Sequence, residues 1–169
     1  MVTTLSPADR LDLQDLLLRY SYAARSADNE DRLRDLFTDD VILDGPRGYH
    51  VGLAGLAAFA EQERGTPRPP DAPPRPYTII TNVLVEGLTD DTASIRACFF
   101  RLADTAGGVG AAQVTGSYEC EARRVDGVWK VSRRICRIDG LPQFRDTEAY
   151  RNNMRYVRDA GGWRLEPAA

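Results

Sequence analysis

With 169 residues, 43% hydrophobic and 28% charged, the chain can bury a core of its own as one domain and has the composition of an ordinary globular protein. Its net charge of -3 is too small to favour nucleic acid as a partner. No stretch approaches the roughly 18 apolar residues of a membrane span, and no cationic segment leads into an apolar one at the start, so the expectation is a cytoplasmic protein with no membrane partner.

Ser6-Pro7 followed by Asp9 has the form of a helix N-cap with proline at the first helical position, and Leu13, Leu17, Tyr20 and Ala24 then recur at helical spacing. This predicts a first helix running to about residue 27. Asp28-Asn29-Glu30 offers a new cap, and Leu33, Leu36 and Phe37 mark one face of a short second helix. Residues 41–44 read as a strand, Gly45-Pro46-Arg47-Gly48 as a turn and residues 49–51 as a short return strand. A third helix carries Leu53, Leu56, Phe59 and Ala60 and ends near Gly65. Six of the ten prolines then crowd into residues 67–76, an extended loop.

From Tyr77 the period changes to two. Residues 77–86, 92–102, 111–124 and 128–139 read as four long antiparallel strands in a meander, with Asp126-Gly127 as the last hairpin turn. In the third of them Val114, Gly116, Tyr118, Cys120 and Ala122 alternate with Gln113, Thr115, Ser117, Glu119 and Glu121, so one face is apolar and the other wet. Three helices cannot cover both faces, and they must pack on the apolar one. The fold class is therefore α+β: a cone-shaped, curved antiparallel sheet wrapped around three N-terminal helices, in a domain spanning residues 1–144. The tail, residues 145–169, offers a peripheral helix over 145–158 anchored by Tyr150, Met154 and Val157. Cys98, Cys120 and Cys136 lie in separate strands without a CxxC pair, which favours reduced, packed thiols over a metal site.

The order of elements and the run LLRYSYAARSADNEDRLRDLFTDDVILD over residues 17–44 resemble the opening of SnoaL-like (nuclear transport factor 2-like) proteins. Thr81-Asn82-Val83 and the hairpin Val125-Asp126-Gly127-Val128-Trp129-Lys130 carry the same resemblance, which covers roughly residues 8–140. It implies the cone fold. It does not single out an activity, because the superfamily spans scytalone dehydratase, ketosteroid isomerase, hexachlorocyclohexane dehydrochlorinase, polyketide cyclases and non-catalytic subunits.

Two departures follow from the resemblance. The dehydratase and dehydrochlorinase branches hold a histidine on the first long strand with an aspartate near the end of helix one, and those positions fall here at Thr78 and Ser26. Unperturbed hydroxyls are not bases near neutral pH, so the His-Asp dyad is expected to be missing. Matching the hairpin places Arg134 where the dehydrochlorinase has a pocket arginine and Tyr118 where the dehydratase has a pocket asparagine. Arg25 falls at the dehydratase's helix-one tyrosine.

Among helix-one phenols, Tyr20 and Tyr22 are both candidates, and Tyr22 is preferred because it lies one helical turn from Arg25 and Ser26. Asp44 stands beside Gly45, the position matching the ketosteroid isomerase base. His50, the single histidine, could act as a general base if the short return strand faces the cavity. The expected activity is that of a lyase, isomerase or cyclase acting on a hydrophobic, oxygenated ring compound without a cofactor. Tyr22, Tyr118 and Arg134 would polarise a carbonyl or enolate, and Arg25, Ser26, Asp44, His50 and Thr78 would contact substrate. The alternative is a non-catalytic small-molecule binder or a dioxygenase-β-like structural subunit. In either case the wet sheet face is the expected site of a homodimer.

Overall fold

The computed structural model describes residues 4–24, 26, 28–46, 48–64, 77–103, 111–139, 154–159 and 162–167. Helix α1 (Pro7–Ala23) begins as its sequence dictates, the Ser6 side chain accepting from the Asp9 backbone amide at 3.1 Å. It is shorter than predicted, ending at Ala23 rather than near residue 27. Its buried residues Leu13, Leu16, Leu17, Tyr20, Ala23 and Ala24 line one stripe. Leu11, Leu18 and Tyr22 lie on the opposite side, exposed. Helix α2 (Asn29–Leu36) is tied to helix α3 (Gly52–Arg64) by the buried Asn29, whose amide donates to the Ala60 carbonyl at 2.7 Å. Phe37, expected at the end of α2, instead opens strand β1 (Phe37–Gly45), and its extended backbone (φ -112°, ψ 153°) suits an aromatic residue in a strand.

Strands β2 (Gly48–Val51), β3 (Tyr77–Gly87), β4 (Thr92–Ala103), β5 (Ala111–Val125) and β6 (Val128–Ile138) complete a six-stranded curved sheet in the order β2-β1-β6-β5-β4-β3. The meander β3 to β6 is antiparallel, as the sequence predicts, and Asp126 (φ 51°) and Gly127 (φ 81°) form its last turn. The sheet as a whole is mixed, because β1 pairs with β6 in parallel. The three helices cover one face, and the core lies between them and the inner residues of the strands. Among the described residues no helix is long and apolar enough to cross a membrane.

A bulge in β6 decides what that strand points inward. Glu121 pairs with Arg133 and Ala122 with Val131, which leaves Ser132 as the extra residue; its hydroxyl donates to the Glu121 carbonyl at 3.2 Å. Before the bulge the buried positions are Trp129 and Val131, and after it the buried position is Arg134.

The outer face carries paired charges: Arg96 with Glu86 at 2.9 Å, Arg133 with Glu121 at 3.5 Å and Arg137 with Glu119 at 2.7 Å. Cys98 is exposed there, contrary to the packed thiol expected, because its position in β4 alternates with the buried Ala97 and Phe99. Cys120 is buried as expected.

The tail differs from its expectation. Residues 154–159 are not helical; strand β7 (Met154–Asp159) pairs antiparallel with strand β8 (Gly162–Pro167) in a separate two-stranded sheet. Tyr156, Val157, Trp163 and Leu165 favour extended backbone, and the pairing runs from Met154 with Pro167 to Asp159 with Gly162. The remainder of the predicted helix, residues 145–153, lies outside the described residues.

Helix α1 is pinned to the β5–β6 hairpin through Asp9. Its carboxylate accepts from the Trp129 indole at 2.8 Å and the Arg124 guanidinium at 2.6 Å, and that guanidinium lies 4.4 Å from the centre of the Trp129 ring. The bonds from Trp129, Arg124 and Ser6 lower the Asp9 pKa from 3.8 to about 2. A carboxyl more acidic in the folded chain than in the unfolded one stabilises the fold above its unfolded pKa, and that contribution fades as pH falls through about 2. Thermal melts between pH 5 and pH 2 are therefore expected to lose stability more steeply in the parent than in Asp9→Asn. Parallel acid profiles for the two would contradict the assignment.

Candidate functional site

Among the described residues, the inner face places one charged side chain in the core. Arg134 is 4% exposed, and its partners across the ladder are Leu43 on β1 and Cys120 on β5. Its guanidinium carbon lies 4.4 Å from the ring centre of Tyr20 on α1, 4.7 Å from that of Phe59 on α3 and 5.4 Å from that of Tyr118 on β5. The rings are themselves ordered. Tyr20 meets Tyr118 edge to face at 5.9 Å and Phe37 at 6.1 Å, and Phe99 stacks on Tyr118 at 4.6 Å. Gly116 makes that stack possible, since a Cβ there would lie 2.7 Å from the Phe99 ring.

The electrostatics follow from burial. Burial pushes the Tyr20 phenol up to about 12 against the pull of the Arg134 charge, and raises Tyr118 well above its ordinary value. Both stay protonated at neutral pH, and a neutral phenol can donate a hydrogen bond. Burial pushes the Cys120 thiol up to about 12 as well, so it packs as a neutral group. Burial also works against the Arg134 charge, but a guanidinium is so strong a base that it stays protonated here, with the Tyr20 hydroxyl as a hydrogen-bonding neighbour. Among the described residues, Arg134 Nε and Nη1 have no hydrogen-bond partner, and no carboxylate forms an ion pair with this arginine. Aromatic faces offset part of the cost of burying the charge, at about 0.5–2 kcal/mol per contact, but they leave Nε and Nη1 unsatisfied.

Of the positions singled out in the sequence, the structure brings Tyr118 and Arg134 together. Tyr22 does not join them: it is 74% exposed, because two residues along a helix is a turn of about 200°, and Tyr20 holds the inward place. Ser26 is half-buried and closes the end of α1, its hydroxyl donating to the Ala23 carbonyl at 3.0 Å. Arg25 lies outside the described residues. Asp44 is buried between Leu43, which pairs with Arg134, and Gly45, whose Cβ position lies 3.2 Å from Cys136. It therefore leaves β1 on the face opposite Arg134.

His50 does share the inner face. It pairs with Leu43, and its ring meets Phe59 edge-on at 5.9 Å, so Phe59 stands between His50 and Arg134. The α3 backbone reaches this strand because Gly55 has no Cβ; one there would lie 2.8 Å from the His50 carbonyl carbon. Thr78 pairs with Arg101 and shares a strand face with Ile80, which packs on the core. It lies away from Arg134, two strands from β5 and in the row of Val114 rather than Tyr118. Sequence reasoning missed Phe59 and Phe99 as parts of the site and set Tyr20 second to Tyr22. The register of Tyr20 with Leu13 and Leu17 was the available signal.

Comparison with known proteins gives the same fold. A hexachlorocyclohexane dehydrochlorinase, LinA type 2, matches at a TM-score of 0.63 and 20% identity, covering 83% of this chain and 91% of that one. Aln2 from a Streptomyces species matches at 0.67 and 18% identity, covering 81% and 95%. Rv3472 from Mycobacterium tuberculosis, a protein of unknown function, matches at 0.64 and 23% identity, covering 82% and 79%. No curated protein matches the chain. The SnoaL-like domain model matches residues 6–135, from the cap of α1 to one residue beyond Arg134, and the chain belongs to that family.

Proposed function

We propose that the chain is a lyase-, isomerase- or cyclase-type enzyme that acts on a hydrophobic, oxygenated ring compound of polyketide or terpenoid character. The observation that carries this reading is the buried, protonated Arg134, held by three aromatic rings with donors left over. A buried charge is costly to keep without a partner, and a developing enolate oxygen is the kind of partner a protonated guanidinium stabilises. Tyr118 and Tyr20 add neutral phenolic donors, Tyr20 taking the part first given to Tyr22. The rings supply the apolar walls, and His50 stands across Phe59 to meet the far end of a ring system. The dehydrochlorinase among the structural neighbours is in keeping with lyase chemistry.

The same packing favours a second reading, a non-catalytic binding or structural module, because three rings around Arg134 also suit a filled interior. A thermal-shift panel of polycyclic ketones, phenols and terpenoid alcohols separates the two, since a ligand that binds only the folded state raises the melting temperature. The enzyme reading expects at least one hit, weakened in both Arg134→Met and Tyr118→Phe, and turnover of that hit by the parent. Hits without turnover favour the binder, and no hit at all favours the structural module.

A further inference from the structure

Arg134 stands apart from the other arginines of the sheet. Arg96, Arg123, Arg124, Arg133 and Arg137 each meet a carboxylate, at Glu86, Asp40, Asp9, Glu121 and Glu119 respectively. All five are more exposed than Arg134; Arg101 on β4 also meets no carboxylate among the described residues, but it is only half-buried, so Arg134 is the fully buried arginine of the sheet and it lacks a counter-ion. Its polar neighbours are the hydroxyls of Tyr20 and Tyr118 and the sulfur of Cys136. Glu63 is the carboxylate whose charge reaches the two phenols, and it is half-buried near the end of α3.

We infer that the ligand of this site is an organic anion, a planar conjugated enolate, phenolate or carboxylate, bound with its charged oxygen on Arg134 and its ring against Phe59 and Tyr20. This rests on the Arg134 site of the proposed function and narrows its substrate to molecules that arrive already ionised. A neutral ketone offers the guanidinium only a dipole. An anion supplies the missing charge together with oxygen acceptors for the free Nε and Nη1 donors. The neighbouring phenols and the Cys120 thiol are neutral at physiological pH, so they do not repel such a ligand. Tyr20 and Phe59, both buried and in contact with the guanidinium, are the apolar groups beside the charge, and a conjugated ring bound there would stack on them.

Three probes of one shape test this: 2-naphthoate, its neutral methyl ester and the neutral ketone 2-acetylnaphthalene. Their affinities would be measured by calorimetry at pH 7.5 in low salt for the parent, Arg134→Met and Arg134→Lys. The expected result is 2-naphthoate binding at least tenfold more tightly than either neutral probe to the parent. The order should persist in Arg134→Lys, which keeps the charge, and reverse in Arg134→Met, which keeps the bulk. Neutral probes binding as tightly as 2-naphthoate to the parent would overturn the anion while leaving the enzyme reading standing. So would undiminished 2-naphthoate binding by Arg134→Met. Binding of none of the three would count against both.

Discussion

Replacing Arg134 by methionine is expected to raise the melting temperature and, on the proposed enzyme reading, to remove turnover. The guanidinium is almost wholly buried, and among the described residues it has neither an ion pair nor a partner for Nε and Nη1. Burying an ion costs several kcal/mol even after relaxation, and removing buried charges in favour of apolar side chains stabilises by roughly 1–4 kcal/mol where it has been done well. The three cation–π contacts oppose that gain, but one guanidinium shares its charge among all three rings, and a methionine sulfur regains about 0.3–1.5 kcal/mol against such rings. The balance falls to methionine. For a chain of this size roughly 1 kcal/mol is about 2–4 °C, well within reach of calorimetry. On the activity side, one donor aimed at a developing oxyanion is worth about 10²–10³ in kcat. Higher stability with lost turnover is the signature of a residue kept for function. A fall in melting temperature would identify Arg134 as a structural centre of the aromatic cluster instead.

Gly116→Ala is expected to be the most damaging single methyl in the sheet. The new Cβ would lie 2.7 Å from the Phe99 ring and run into the Arg137 carbonyl across the ladder, and backbone cannot give way as a flexible side chain does. Overpacking of this kind costs about 1–3 kcal/mol, and the backbone clash places the cost at the upper end or beyond. Phe99 would have to leave its stack on Tyr118, so ligand binding should fall along with stability. Gly127→Ala is the matched control, with open space around it and only the strain of its φ of +81° to bear, about 1 kcal/mol. Urea titrations of the two variants check the ordering. Equal midpoints would mean that β4 and β5 can separate at this point without loss.

The helices and the meander were legible because their signals are local. The Ser6-Pro7-Asp9 cap, the Leu13-Leu17-Tyr20 spacing and the alternation of Gly116, Tyr118, Cys120 and Ala122 each report on neighbours within a turn or a pleat, and all were observed. The tail misled for the same reason. Tyr150, Met154 and Val157 match a helical period, yet Tyr156, Val157, Trp163 and Leu165 suit a hairpin equally well, and pairing between β7 and β8 decides over residues 154–159.

The candidate site was legible only in part. Tyr118 and Arg134 were both singled out through resemblance to pocket residues, and the alternation in β5 supported the inward turn of Tyr118 alone. Strict alternation from Trp129 and Val131 would turn Arg133 inward. The bulge at Ser132 reverses that parity, so that Arg134 and not Arg133 turns inward between β5 and β1. Tyr22 failed as a candidate because its helical neighbours Arg25 and Ser26 say nothing about which face of α1 meets the sheet; the buried leucines do.

By itself, the sequence determined the three N-terminal helices and the four-strand meander in their order, the turn at Asp126-Gly127 and the single apolar face of the sheet, because these follow from periodicity and backbone preference over a few residues. Only the tertiary structure decided the parallel β1–β6 pairing, the inward turn of Arg134, the choice of Tyr20 over Tyr22 and the placing of Asp44 on the far face of its strand. Each depends on register between segments distant in sequence, where a shift of one residue exchanges the two faces of a strand.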